Sequence, residues 1–263
     1  MWAGGAPPAH TDPSLTLGMT NVRIAITRPV PPSLEHCELT HLAREPIDVT
    51  RAAAQHAEYE ALLEELGCAV RRLPLRAELP DSVFVEDAAI VTNTIAVITR
   101  PGAASRRGET EDVANVLRQY REVVTIDEPG TLDGGDVLRV GDRWFVGRSG
   151  RTNEEGIRQL RRFIPAEPVD FRGCLHLKSA VTAVDRERVI LNPRWVDKLW
   201  PCIEVDPDEP FAANVLLLDD RVIAGRYPRT NQRLRREGIE VREVEASELA
   251  KAEGGVTCCS IIV

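Results

Sequence analysis

Residues 87–98 read DAAIVTNTIAVI. Two apolar runs, Ala88–Val91 and Ile95–Ile98, flank Thr92-Asn93-Thr94, the pattern of a β-hairpin. Arg100-Pro101 ends it, and Thr110 stands before Val113, Val116, Leu117 and Tyr120 at helical spacing. Val123–Ile126 then reads as a strand. The same order returns at 136–146, DVLRVGDRWFV, where Val137–Val140 and Trp144–Val146 flank the turn signal Gly141-Asp142. A helix with Ile157, Leu160 and Ile164 in phase follows. Next, Val181–Val184 and Val189–Leu191 flank Asp185–Arg188, with a short helix predicted from Pro193. Val215–Leu218 and Val222–Ala224 then flank Asp219-Asp220. A helix over 231–237, a stop at Gly238 and a strand Ile239–Val244 complete that unit.

The hairpins begin just after Asp87, Asp136, Ser179 and Asn214, at intervals of 49, 43 and 35 residues, and the last apolar run, Cys259–Val263, begins 45 residues after Asn214. That is an internal repeat of hairpin, helix and strand at a propeller-like period. One unit is too small to bury its own apolar face, so the units must share cores. Upstream, Asn21–Val30 alternates like a strand and Pro31–Arg44 is loop-like. Thr50 is placed to cap a helix Arg51–Leu66, with Tyr59, Leu62, Leu63 and Leu66 on one face and Gly67 at its stop. Ala69–Leu75 reads as the next strand. Cys259–Val263 is expected to pair with the opening strand and close the set. The competing α/β arrangement is a plain doubly wound sheet. No Pro/Gly/Ser-rich linker interrupts 21–263, which reads as one domain, and 1–20 reads as a disordered extension.

Composition sets the class. The chain has 263 residues, 43% hydrophobic and 28% charged, which excludes wholesale disorder and a fibrous protein. No apolar run reaches the roughly 18 residues of a membrane span. A formal charge of −8 argues against nucleic acid and suits a cationic ligand. The opening residues have neither a basic segment nor an apolar one, so they do not form a signal peptide. Six cysteines in a chain of this size read as free thiols in a reducing cytoplasm.

Repeated strands that start at one end bring their first residues around a common axis. Those residues are polar here: Glu86, Asp87, Asp133, Asp136, His176, Lys178, Asn214 and Cys258. Buried charge is costly unless paired or used. His176 is either a satisfied core histidine or a working one, and its repeat position favours work. Of the other histidines, His10 lies in the extension, His36 and His41 in the polar loop, and His56 reads as an exposed helix residue. Cys258 and Cys259 follow Gly254-Gly255, which lets backbone approach a ligand closely; the plain reading is two small buried hydrophobes. A metal is not expected, because no CxxC or HxxxH spacing is present. Asp81, Glu86 and Asp87 frame an apolar run, which is unusual for surface charge. Arg106 and Arg151 each follow a hairpin; read singly, they are surface residues. Together the set has a logic. Carboxylates hold a guanidinium or ammonium, arginines hold a carboxylate, and thiol plus imidazole supply nucleophilic catalysis. An α-amino acid with a cationic side chain uses every part.

Six blocks carry a resemblance: PDSVFVEDAAIV (80–91), ITRPGAASRR (98–107), TLDGGDVL (131–138), FVGRSGRTN (145–153), LHLKS (175–179) and GVTCCSIIV (255–263). In this order the sequence resembles the dimethylarginine dimethylaminohydrolase (dimethylargininase) family of the guanidino-group-modifying superfamily. The resemblance implies a five-bladed α/β propeller, the pentein fold. It implies hydrolysis of Nω-methylated arginine to citrulline without a cofactor, by a monomer or homodimer. It implies Cys258 as nucleophile, His176 as general acid/base and Asp133 as the carboxylate orienting that histidine. Asp87 is implied to hold the guanidinium, with Glu86 beside it and Asp81 at the α-amino end. Arg106 and Arg151 are implied to hold the α-carboxylate, and Glu35–Leu42 occupies the place of a mobile lid. Ala252-Glu253 departs from the family's usual Asp-Gly ending. The competing functions are an arginine or agmatine deiminase of the same superfamily, a non-catalytic binding module, and an amino-acid-binding protein without activity.

Overall fold

The computed structural model describes residues 22–263. The extension at 1–20, with His10, lies outside the described residues. Five three-stranded sheets follow one another along the chain, each an antiparallel pair extended by a parallel third strand. The chain opens with β1 (Ile24–Thr27) and β2 (Ala69–Arg72), paired in parallel. It continues through β3 (Ala89–Val91), β4 (Ile95–Ile98) and β5 (Glu122–Thr125), then β6 (Val137–Val140), β7 (Arg143–Arg148) and β8 (Ala166–Asp170). Two further sheets are β9 (Val181–Ala183), β10 (Val189–Leu191) and β11 (Cys202–Glu204), and β12 (Val215–Leu218), β13 (Arg221–Gly225) and β14 (Glu240–Val244). The last strand, β15 (Ile261–Ile262), returns to pair antiparallel with β1, Ile261 opposite Ile26. Both ends of the described chain therefore build the first sheet, as the apolar run at 259–263 predicts.

Strand alternation explains why the sheets form a ring. In β4, Ala96 and Ile98 join the cluster of Ile26, Val113 and Leu117, whereas Val97 joins that of Val137, Val146 and Leu160. In β10, Val189 and Leu191 face one cluster and Ile190 the next; Val222, Ile223 and Ala224 of β13 divide the same way. Successive side chains point to opposite faces, so each sheet feeds two of the five cores and no sheet has a free face. A doubly wound sheet is excluded by the five separate sheets.

Several local expectations shift. The first long helix is Val49–Glu65, and Asp48 caps it by accepting the Arg51 N–H at 3.0 Å; Thr50 lies inside it. Gly67 adopts φ 92°, the left-handed conformation that ends such helices. Thr110 begins the helix Thr110–Leu117 without capping it, its hydroxyl donating back to the Arg107 carbonyl. No helix starts at Pro193. The segment makes a turn whose Trp195 and Val196 N–H groups bond to Asn192, and it leads straight to β11. His56 is buried, not exposed, with Nδ1 3.8 Å from Glu60. All six cysteines are unpaired. Among the described residues no helix is long and apolar enough to cross a membrane.

Candidate active site

A single helical turn precedes one edge strand in each of four sheets, β3, β6, β9 and β15: Val85–Ala88, Gly134–Asp136, Leu177–Ala180 and Thr257–Cys259. In the remaining sheet a turn at 211–213 leads through Asn214 into β12. These turns pack against one another. The polar strand-start residues thus come together, because the backbone has not yet entered a ladder and can present side chains inward.

His176 sits immediately before its turn. Its Nε2 lies 3.1 Å from Asp133 Oδ2, and its Nδ1 lies 3.7 Å from Asp87 Oδ1. Asp133 is held by the Gly102 N–H at 2.8 Å. Burial disfavours an imidazolium, but the charge of Asp87, the bond to Asp133 and the charge of Asp136 outweigh it and raise the His176 pKa to about 9. Asp87 accepts from Arg106 Nη1 at 2.6 Å and from the Gly135 N–H at 2.8 Å. Burial would raise its pKa; His176 and Arg106 more than offset this and hold it well below the usual carboxylate range. Gly135 has to be glycine: a Cβ there would stand 2.5 Å from His176 Nδ1 and 2.7 Å from Asp87 Oδ1.

Cys258 is buried, with the Gly255 N–H 3.3 Å from Sγ. Burial, with the charges of Glu86 and Asp87 behind it, pushes its pKa up to about 12. At neutral pH the ligand-free site therefore pairs a thiol with an imidazolium. Glu86 is fastened by Lys178 Nζ at 2.5 Å and by Thr257 Oγ1 at 2.9 Å. Asn214 bonds both the backbone N–H and the hydroxyl of Thr257, next to the thiol. Asp81 accepts the Glu38 N–H at 3.1 Å, and burial raises its pKa.

Cys258, His176, Asp87, Asp81, Arg106 and Arg151 all line one pocket. Asp133 and Glu86 stand behind it as partners of His176 and Lys178. Arg151 is half-buried and donates to Thr40 Oγ1 at 3.2 Å. Arg106 differs from the expectation of a free carboxylate-binding fork. It is buried, and Glu109 already takes its Nε and Nη2, with Oε2 2.9 Å from Nη2. The Asp81 and Phe84 carbonyls share Nη2, and Asp87 takes one Nη1 proton. One of the five guanidinium donors is left for a ligand. Sequence reasoning missed Glu109, because its three-residue spacing from Arg106 says nothing of burial. It also gave no role to Asp136, which accepts the Leu177 N–H at 3.0 Å and hydroxyls of Ser149 and Thr152 at 2.5 and 2.7 Å. Those contacts anchor the residue next to His176. The quoted block FVGRSGRTN carried that signal.

Asp87, Asp133 and His176 could each offer a metal one ligand atom within 4.8 Å of the others. Their groups already have partners: His176 bonds Asp133, Arg106 bonds Asp87, and the Gly102 and Gly135 N–H groups bond the two carboxylates. A thiol, an imidazolium and fixed carboxylates around one pocket can bind a planar cation and attack its carbon.

The arginine deiminase family model matches residues 208–263. The chain is 42% identical over 248 residues to the N(G),N(G)-dimethylarginine dimethylaminohydrolase of Streptomyces coelicolor, covering 90% of this chain and 95% of that one. It is 37% identical over 227 residues to the enzyme of that name from Pseudomonas aeruginosa, covering 81% and 89%. The chain belongs to the dimethylarginine dimethylaminohydrolase family. A solved dimethylarginine dimethylaminohydrolase from Pseudomonas aeruginosa, a cysteine-to-serine mutant complexed with citrulline, superposes with a TM-score of 0.85 at 35% identity, over 91% of this chain and 98% of that one. The N-terminal domain of a cyanobacterial arginine dihydrolase, at 19% identity, has a TM-score of 0.78 over 92% of this chain and 98% of that one, and shares the fold. The five-sheet ring is thus the pentein propeller of this family.

Proposed function

We propose that the protein hydrolyses the guanidino group of Nω-methylated L-arginine, giving citrulline and dimethylamine or methylamine, through a covalent bond to Cys258. One observation carries the reading: a thiol and an imidazolium line a single pocket together with Asp87, within a dimethylarginine dimethylaminohydrolase fold.

The guanidinium enters as a cation and lies against Asp87, with Glu86 nearby. Its charge supplies what the site lacks, so the buried thiol releases its proton to solvent as substrate binds, His176 being already protonated. Sγ attacks the central carbon. His176, held by Asp133 through Nε2, exchanges protons at Nδ1 and protonates the departing dimethylamine as the C–N bond breaks. A thiouronium remains on Cys258. His176 then takes a proton from water, the new C–O bond forms, the C–S bond breaks and citrulline leaves with the thiol restored. Arg151 and the remaining Arg106 donor hold the α-carboxylate, and Asp81 holds the α-ammonium. Arg106 chiefly fixes Asp87. No step requires a metal or cofactor.

Incubation with asymmetric dimethylarginine, arginine and agmatine tests the reading. Equal amounts of citrulline and dimethylamine are expected, with little turnover of the other two. Preferred release of ammonia from arginine would assign the protein to deiminase chemistry instead. Cys258→Ser is expected to abolish turnover while leaving the circular dichroism spectrum unchanged.

A further inference from the structure

The reactive pocket is narrow. Its free volume is about 10 Å3, room for no more than about one water molecule. A dimethylarginine molecule cannot enter unless a wall moves. Most walls are strand-start turns tied into sheets. The segment 38–42 is not: among the described residues it makes no backbone–backbone hydrogen bond outside regular elements, and it belongs to no element. It is held by side chains alone.

Glu253 does most of the holding, and the catalytic reading gives it no part. Its carboxylate accepts three successive N–H groups, those of Thr40 at 3.0 Å, His41 at 2.5 Å and Leu42 at 2.6 Å. Lesser ties run from Ser105 Oγ to Glu38 at 2.6 Å and from Arg151 to Thr40. Glu253 adopts φ 58°, a conformation uncommon outside glycine, and this turns the chain directly before Gly254-Gly255 and Cys258. Glu38 and Glu253 line the reactive pocket, and His41, Leu42 and Glu253 line a second cavity of about 260 Å3 beside it. One carboxylate thus joins the segment carrying the nucleophile to a wall of the pocket that has no backbone–backbone bonds of its own.

We propose that Glu253 is a latch that sets the balance between open and closed states of segment 38–42, and so governs how tightly substrate is retained without taking part in bond breaking. It is a positioning residue, and the proposal rests on the hydrolase reading above. Charge-assisted bonds to three amides favour the closed state. A ligand that binds the closed state loses apparent affinity in proportion as that state is depopulated. The charge is needed, because an amide at this position keeps one acceptor and turns an NH2 group towards the lid donors.

The test uses the full chain as wild type and as Glu253→Ala, Glu253→Gln and Glu253→Asp. Two quantities are read: kcat and KM for asymmetric dimethylarginine, and the rate at which 2-chloroacetamidine modifies Cys258 with no substrate present. Loss of the latch in Glu253→Ala is expected to raise KM about tenfold with kcat within about threefold. The modification rate should rise by a similar factor, because the thiol is reached only from the open state. Glu253→Gln should behave like Glu253→Ala, and Glu253→Asp should recover part of both effects. Should Glu253→Ala fail to fold, Glu253→Gln, which keeps the side chain's size, carries the comparison. KM and modification rate both within twofold of wild type would overturn the proposal, as would a fall in kcat at unchanged KM. If wild type does not turn over dimethylarginine, the hydrolase reading fails, yet the modification rates still decide whether the latch exists.

Discussion

The Cys258 thiol and the His176 imidazole start from opposite displacements. The thiol is pushed up to about 12 and the imidazole up to about 9, both from within the same carboxylate-rich pocket. The first shift keeps Cys258 predominantly protonated in the free protein at neutral pH. A neutral alkylating agent such as iodoacetamide should therefore react ever faster as pH rises through 10, with no plateau. The cationic reagent 2-chloroacetamidine brings its own compensating charge and should react well near pH 7. Equal pH profiles for the two reagents would show that substrate charge does not activate the thiol. The second shift keeps His176 protonated up to about 9, so kcat/KM should fall as pH rises through that value and the acid is lost. The two residues were legible in the sequence because each stands at a strand start of the repeat. Glu109 was not legible. Its burial depends on Arg106 folding back beneath Asp87, which pattern and spacing do not encode. The same holds for the Arg106 fork, whose partners are Glu109 in its own turn and the stretch 81–87 some twenty residues upstream.

Each element that carries chemistry is a short turn before a strand, and the turns meet too closely for ordinary side chains. Gly135 shows this best, since the space a Cβ would need belongs to His176 and Asp87. Gly135→Ala should lower kcat about 100-fold, the scale of an ångström-sized misplacement, while the protein stays folded. Steady-state kinetics together with a thermal melt would check this, and unchanged kcat would mean that the turn has slack. Strand pairs were readable from alternation and turn signals, because those depend on neighbours in sequence. Helix starts were read less well. Both Asp48 and Thr50 are cap-competent residue types, and only the observed path of the chain into Val49–Glu65 selects Asp48. Proline suits a first helical position and a turn equally well, so the sequence predicts a helix from Pro193 where the structure has a turn.

Across the whole molecule, the ring is closed by two residues of β15 pairing with β1. We infer that residues 21–263 act as one cooperative domain, because the five cores lie between sheets and each sheet serves two of them. Removal of 261–263 takes away buried Ile261, which packs with Ile26 and Ile98, and unpairs the edge of β1. This truncation should lower the melting temperature and abolish activity together, since Thr257–Cys259 immediately precedes the lost strand. Circular dichroism and tryptophan fluorescence of the intact chain should follow one transition. Two separated transitions would contradict a single domain. The repeat made this architecture legible, whereas the narrowness of the pocket was not, because the ties between 38–42 and Glu253 join residues more than 200 positions apart.

The central claim is that Cys258 bonds covalently to the guanidino carbon of a methylated arginine with His176 at its side. It is tested most directly by mixing the protein with asymmetric dimethylarginine, quenching in acid within the turnover time, and mapping the peptide masses. The account predicts a thiouronium adduct confined to Cys258 among the six cysteines, appearing while dimethylamine is released and disappearing as citrulline accumulates. Turnover without any adduct, or an adduct on Cys259 or another thiol in place of Cys258, would contradict it.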